Sequence, residues 1–534
     1  MSAAPSRLPL ERSPVVALLP LDERPACTRL PRQIAAVAGV HLLTPPPALM
    51  PSLRDPGQAD ELGAWLAGYA GRADAAVVSL ETLGHGGLIA SRTVDIPAHR
   101  VLQRWAAVDV LARSGVPVHA VTLVTRTPDS ADAFEEPRYW DPHGPALHHF
   151  SAVLHRAEDA VIAGEGELPA ARAALPGPVR NDFLARRLRN HTLNLSALQL
   201  AADGILAGLV IGADDCAPWG LATAELTQLR RWVARFDLAE RVAVRPGADE
   251  AGATLLARVI GGLLAQGPVT VAVESVLTDG LDQVAPYENM PLAETAAGQI
   301  NACGARQVSG SDADIRLLIH TPDGSGDWAV SPPAKRSPRA VANATALAKR
   351  AAALLDAGHT VAVADCAQPN GADPLLVAAL LRSGAAPRLA AYAGWNTAGN
   401  TLGTAVAHAV TTVLARRAGT FDPSAHRALL AHRFLEDWGY MTHVRTEARR
   451  VLGSVWGSHD HVPADHSVHG VIEQGLTDCA RRLTGLDMAL EPGSLRLPWQ
   501  RTFEADFRLS PLGGGRPATA SSATPTVPRP TEGR

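Results

Sequence analysis

Lysine is nearly absent. Lys335 and Lys349 are the only two among 534 residues, so almost all positive charge is arginine. An excess of basic charge is also missing: 49 Lys+Arg face 53 Asp+Glu, for a net charge of −4. That balance excludes a protein whose affinity for nucleic acid rests on a basic surface. Cysteine is sparse. Cys27, Cys216, Cys303, Cys366 and Cys479 are scattered, odd in number and form no CxxC pair. A disulfide framework and a thiolate zinc site are both disfavoured. No apolar run approaches the roughly 18 residues a membrane helix needs. The polar, Pro-rich start MSAAPSRLPLERSP leads into a run, Val15 to Leu21, that is too short for a signal core. Missing as well are the GK[ST] of a phosphate loop, the GxGxxG of a dinucleotide site and the GxSxG of a serine hydrolase. The expectation is a soluble cytoplasmic protein with no nucleic-acid and no membrane partner. Nothing sets an oligomeric state.

What is present is globular: 46% apolar and 19% charged residues, enough chain for two or three domains or one large α/β unit. Short apolar runs alternate with Ala/Leu/Arg-rich helical stretches. The candidate strands are 15–21, 41–45, 75–81, 119–125, 208–214, 241–246, 269–275, 316–321, 360–366 and 388–395. Helices are expected between most of them, for example Ala59–Tyr69, Asn181–Ala202 and Glu250–Leu264. Nearly continuous apolar runs indicate strands buried on both faces, as in a mainly parallel sheet covered by helices. Eight strands reach Thr321, which fits a (β/α)8-like barrel. The two beyond it do not: either two of the ten assignments fail or the last two strands belong to a second α/β layer, which makes a doubly wound sheet or tandem α/β units the second reading. The expected organisation is a disordered N-terminus (1–13), an α/β core with a strand-end site (14–325), a further α/β segment completing the site (326–420), a mostly helical C-terminal region (421–510) and a disordered tail (511–534). The Gly/Ser/Pro-rich stretch Asp323–Arg339 reads as a linker or exposed loop.

Polar residues gather where the strands end. Asp22 and Arg24 follow the first strand, Glu81 to Arg92 the third, Arg126-Thr127-Pro128 the fourth, Asp214-Asp215 the fifth and Asp249-Glu250 the sixth. Asn370 and Asp373 follow the ninth, and Trp395, Asn396 and Asn400 the tenth. Loops after parallel strands share one rim, where α/β proteins bind ligands. Asp214 and Asp215 are the sharpest pair. Adjacent strand residues face opposite ways, so their environments can differ, as one acid and one stabilising carboxylate require. Each assignment has a plainer alternative. Asp215 and Asp249 could cap helices, Gly84-His85-Gly86-Gly87 could be a turn rather than an anion cradle, and Trp395 could be a core residue. His459-Asp460-His461 with His466 and His469 could ligate a divalent ion or form an exposed loop.

The strings LLPLDERP, SLETLGHGGLIASRT, IGADDCAPWG, RPGADE, YENMPL, NGADP, AGWNTAGNTLG and RFLEDWGY, in this order, resemble a bacterial family known only as domain of unknown function 4127. The resemblance runs from about Val15 to about Tyr440 and implies no activity. Asp214, Asp215, Asp249 and Glu81 are the catalytic candidates. Asp22, Arg24, Arg92, Glu250, Asn370, Asp373, Trp395, Asn396 and Asn400 are the candidates for binding a small-molecule or saccharide substrate. The leading expectation is a glycosidase-like hydrolase using paired carboxylates without a cofactor. The alternatives are a metal-dependent hydrolase holding Mg²⁺ or Mn²⁺ on the same acids, and a non-catalytic binder of a sugar or small polar ligand.

Overall fold

The computed structural model describes residues 12–158, 166–333 and 336–512. The expected disorder of nearly all of the tail and of the N-terminal stretch lies outside those residues, whereas Pro511, expected in the tail, is ordered as the end of a strand. Every expected strand forms. β1 (Val15–Leu19), β2 (His41–Leu43), β3 (Ala75–Ser79), β4 (Val118–Val124), β5 (Gly208–Ala213) and β6 (Val242–Pro246) make a six-stranded sheet in the order β2-β1-β3-β4-β5-β6. β7 (Thr270–Glu274), β8 (Arg306–Gln307), β9 (Ile315–His320), β10 (Val361–Asp365) and β11 (Ala391–Ala393) make a five-stranded sheet in the order β8-β7-β9-β10-β11. Every ladder in both sheets is parallel. Near the C-terminus β12 (Met488–Leu490) and β13 (Leu509–Pro511) pair antiparallel.

The structure is therefore two tandem α/β units, not a barrel. Counted from its own first strand, the first sheet runs 2-1-3-4-5-6 and the second 2-1-3-4-5. In both, the chain lays its second strand on one side of the first and then crosses to the other side. That reversal leaves an open sheet with a crevice at the switch point. Apolar runs carry no record of strand order, which is why the runs alone are compatible with a barrel. The sheets divide between Pro246 and Thr270, and the 325/326 boundary falls between β9 and β10 inside the second sheet. The described part of the Gly/Ser/Pro-rich stretch after β9, 323–333 and 336–337, is a loop at that sheet's C-terminal rim, and a helix begins at Pro338.

Three helical layers enclose the two sheets. The central layer packs helices Pro25–Val37, Ala251–Leu263, Leu292–Ala302 and Ala398–Ala418 between them in one continuous core. Helix Ala398–Ala418 is buried without a break from Ala398 to Ala415, as expected for a helix with no face left for water. Its alanines and glycines let neighbours approach closely: a Cβ on Gly399 would lie 2.9 Å from the Gly247 nitrogen. Helices Ala59–Ala67, Gly177–Ala202 and Leu221–Arg235 cover the outer face of the first sheet. Helices Pro338–Asp356 and Pro374–Arg382, with the C-terminal helices, cover the outer face of the second. No helix among the described residues is long and apolar enough to cross a membrane.

Candidate functional site

The C-terminal ends of both sheets open on one cleft. From the first sheet come Arg24 after β1, Arg92 beyond β3, Arg126 and Glu135 after β4, Asp214 and Asp215 after β5, and Asp249 after β6. From the second come Tyr287, Val330, Asn370 and Asn396, after β7, β9, β10 and β11. The C-terminal region closes the wall with Arg445, Ser458, His459, Arg501 and Phe503. A larger and more apolar chamber adjoins it, about 390 against 210 Å³, and is lined by Cys216, Trp219, His148 and Ser151. Asp215 and Tyr287 border both chambers, so a ligand can extend past the acids on that side.

Arginine organises the acids. Arg24 donates to Asp22 Oδ2 from Nη2 (2.7 Å) and Nε (2.9 Å), and to Asp249 Oδ1 from Nη2 (2.6 Å). Asp22 lies behind Arg24, only 2% exposed, and does not line the cleft. Asp249 also accepts from Asn396 Nδ2 at 3.2 Å, which ties the two sheets together. Its backbone N–H donates to Asn400 Oδ1 at 3.2 Å, so Asn400 positions the acid from outside the cleft. Burial pushes Asp249 up to about 7, and the neighbouring Asp22 and Asp214 charges add to the rise against the pull of Arg24. Arg92 clasps Asp214 and reaches Glu136 (3.1 Å) and Glu135 (3.2 Å). Arg126 joins Glu136 (2.8 Å), Glu135 (3.0 Å) and Asp215 (3.0 Å). Burial, aided by the Asp214 charge, raises Asp215 despite Arg126. Glu135 goes the other way: burial opposes its charge, but Arg501, Arg126 and Arg92 hold it well below the usual carboxylate range.

Neither Asp215 nor Asp249 caps a helix. Helix Leu221–Arg235 begins behind Gly220, and helix Ala251–Leu263 has no side-chain cap. Both carboxylates are committed to arginines on the cleft wall. The backbone is strained at the same place. Asp215 (φ 21°), Tyr287 (φ 66°), Asn370 (φ 62°) and Asn396 (φ 52°) all take left-handed conformations. Asn and Asp tolerate this region, whereas Tyr pays more, and such residues concentrate at ligand sites. Tyr287 is fixed by the Cys216 N–H donating to its carbonyl (2.9 Å) and by its hydroxyl on Asp327 (2.8 Å). Asp327 also accepts from Asn370 Nδ2 at 3.0 Å.

Several expected site residues lie elsewhere. Glu81 is buried beneath the first sheet's rim, accepting from the Leu123 N–H (2.7 Å) and Thr122 Oγ1 (3.0 Å). Burial raises it to about 7, but it does not line the cleft. Glu250 is fully buried, paired with Arg245 and accepting from Gln299 Nε2 (2.9 Å). Gln299 donates equally to the Gly399 carbonyl (2.9 Å), so this group joins the two sheets. Asp373 caps helix Pro374–Arg382 through the Leu375 N–H and binds His320 and Arg336. Trp395 belongs to the central core, its indole N–H on Thr404 Oγ1 at 3.1 Å, and offers no face to the cleft. Gly84–Gly87 is a packed turn: a Cβ on Gly86, at φ 88°, would lie 2.7 Å from the Gly57 carbonyl.

The histidine cluster is not a metal centre among the described residues. His459 stacks on Phe134 (4.4 Å), and Asp460 is held by Arg449 and by the Thr502 N–H. The described group with metal-ligand spacing is Asp22, Cys27 and Asp249. It fits a cation poorly, because the Arg24 guanidinium already bonds both acids, and burial pushes the Cys27 thiol well up.

Glu135, Tyr287, Val330, Arg445, Ser458, Arg501 and Phe503 line the cleft without being marked by a strand end. They sit well beyond strand ends or in the helical C-terminal region, where position along the chain gives no warning. Arg126 was visible at a strand end, although nothing marked it as the partner of three acids.

Fold and site together define a two-unit α/β protein with an arginine-braced carboxylate cleft at the shared strand-end rim. The chain belongs to the family described as protein of unknown function DUF4127, whose profile matches residues 16–508. No curated protein and no solved structure matches it.

Proposed function

We propose that the cleft is the active site of a hydrolase acting on a carbohydrate through general acid–base chemistry between carboxylates. One observation carries this reading: Asp214, Asp215 and Asp249 share the cleft in unequal environments. Glycoside hydrolysis needs one carboxyl group that delivers a proton and another that stabilises positive charge or activates water. Asp249, raised to about 7, still carries a proton in about half of the molecules at pH 7 and can pass it to a leaving oxygen. Asp214, clasped by Arg92, supplies the second carboxylate. Asn370, Asn396, Tyr287 and Ser458 offer amide and hydroxyl partners for sugar hydroxyls. The adjoining chamber leaves room on the far side of Asp215 for the rest of the substrate.

A Mg²⁺ or Mn²⁺ route through the same acids has less support. Asp22, Asp214, Asp215 and Asp249 all accept from guanidinium groups that a cation would have to displace. The test is a panel of aryl α- and β-glycosides assayed with EDTA. The expected result is release of the aryl alcohol in EDTA, reduced about 10²–10⁴-fold in Asp214→Asn. Loss of turnover in EDTA with recovery in Mg²⁺ or Mn²⁺ would establish the metal route. Binding of sugars with no turnover of any glycoside would make the protein a binder.

A further inference from the structure

We propose that Arg445 is an anion-recognition residue and that the ligand of this cleft carries a carboxylate, sulfate or phosphate group. The carbohydrate reading above enters only in naming what carries that group.

The other four arginines lining the cleft, Arg24, Arg92, Arg126 and Arg501, are each ion-paired. Arg445 lines the same cleft, is only 3% exposed, and has no hydrogen-bond or ion-pair partner among the described residues. Its Nε and Nη1 are buried with nothing accepting from them. The guanidinium lies 5.1 Å from the Phe503 ring centroid, which holds its plane but takes none of its hydrogen bonds. The acids that act on it from a distance are already engaged: Asp460 with Arg449 and Thr502, and Asp327 with Tyr287 and Asn370.

An uncompensated buried charge is costly, and a fold keeps one where a ligand completes the pair. Burial lowers the group only to about 10, so it remains a cation at neutral pH. Its planar fork suits two parallel N–H···O bonds to a carboxylate or a tetrahedral oxyanion. Ser458 and His459 share its wall and can serve the remaining oxygens. The acids Asp214 and Asp249 belong to the loops of the first sheet, so anion and reacting bond would be held by different parts of the molecule.

The experiment compares the full-length protein with Arg445→Met and Arg445→Lys by thermal denaturation and calorimetric titration. The probes are glucuronate, glucose 6-sulfate, glucose 6-phosphate, glucose and inorganic sulfate. Without ligand, Arg445→Met should melt at or above the wild-type temperature, because it removes an unpaired buried charge. At least one anionic probe should raise the wild-type Tm and bind at least tenfold more weakly to Arg445→Met. Arg445→Lys, which keeps the charge but not the fork, should fall between them. Glucuronate against the sulfate and phosphate esters identifies the anion, and glucose should show no dependence on Arg445. An Arg445-dependent effect of inorganic sulfate with none from any sugar would keep the subsite and sink the carbohydrate reading. If no anion shows an Arg445-dependent effect, the proposal falls, whatever the stability of the variants.

Discussion

Asp249→Asn is expected to lower turnover about 10²–10⁴-fold while leaving the fold intact. The amide oxygen keeps the short Arg24 Nη2 bond, while the amide nitrogen replaces Oδ2 and gives up the two longer contacts there, from Asn396 Nδ2 and Arg24 Nη1 at 3.2 Å. What it loses is the transferable proton. In the wild type the proton-bearing fraction declines as pH rises through about 7, so activity should fall across that interval. In the variant, residual activity should lack that limb. Glu81→Gln supplies the contrast. Burial raises Glu81 to about 7 as well, but its oxygens bond Leu123 and Thr122 and it does not line the cleft. Its replacement should leave both the rate and the pH limb in place. Equal losses in the two variants would mean that a raised carboxyl matters here only for structure.

Stability should decline as pH rises from about 6.5 to 8.5, an interval in which most proteins are insensitive. Burial raises Glu23, Glu81, Asp249 and Glu436 to about 7, and Glu288 to about 8. The ordinary values for these groups are 4.5 for Glu and 3.8 for Asp. Between the two limits the folded chain holds protons that the unfolded chain has released. Unfolding therefore liberates protons, and stability is lost as pH climbs through the folded values. Histidines act on the other side. Burial lowers His85 to about 3 and His119 to about 4, so their contribution is lost as pH falls below 6.5. Between about pH 4.5 and 6.5 the two effects oppose each other and the five acids outweigh the two histidines, so the melting temperature should begin to fall below neutrality and fall more steeply above about 6.5, where the histidines no longer offset the acids. Glu288 accepts from the Gly399 N–H at 2.7 Å, and Glu288→Gln keeps that acceptor without the charge. The variant should flatten the alkaline limb. A Tm constant from pH 6.5 to 8.5 in the wild type would show that these acids titrate normally.

The strands were legible because buried parallel strands are written as continuous apolar runs, and those of β1, β3, β4 and β10 are almost uniform. β8 is two exposed residues, Arg306–Gln307, and leaves no such mark. Strand order was illegible, since pairing in a parallel sheet depends on crossovers and not on the runs themselves. At the rim, the strand-end rule points to Asp214, Asp215 and Asp249, which line the cleft, but does not say which rim residues turn inward. Trp395, Glu250 and Asp373 lie beside cleft residues in the chain, and each found a partner in the core. Arg445 and Arg501 were beyond reach because they come from the C-terminal region that folds back over the rim. Nothing in their local sequence distinguishes them from a solvated arginine.

The cleft exists only if distant loops lock together, and the contact between Arg24 and Asp249, 225 residues apart, is one such lock. A double-mutant cycle with Arg24→Ala, Asp249→Ala and the pair, read from urea denaturation midpoints, measures it directly. A coupling of at least about 1.5 kcal/mol is predicted, as for neighbours in one buried network. Effects that add to within about 0.5 kcal/mol would contradict the cleft as described.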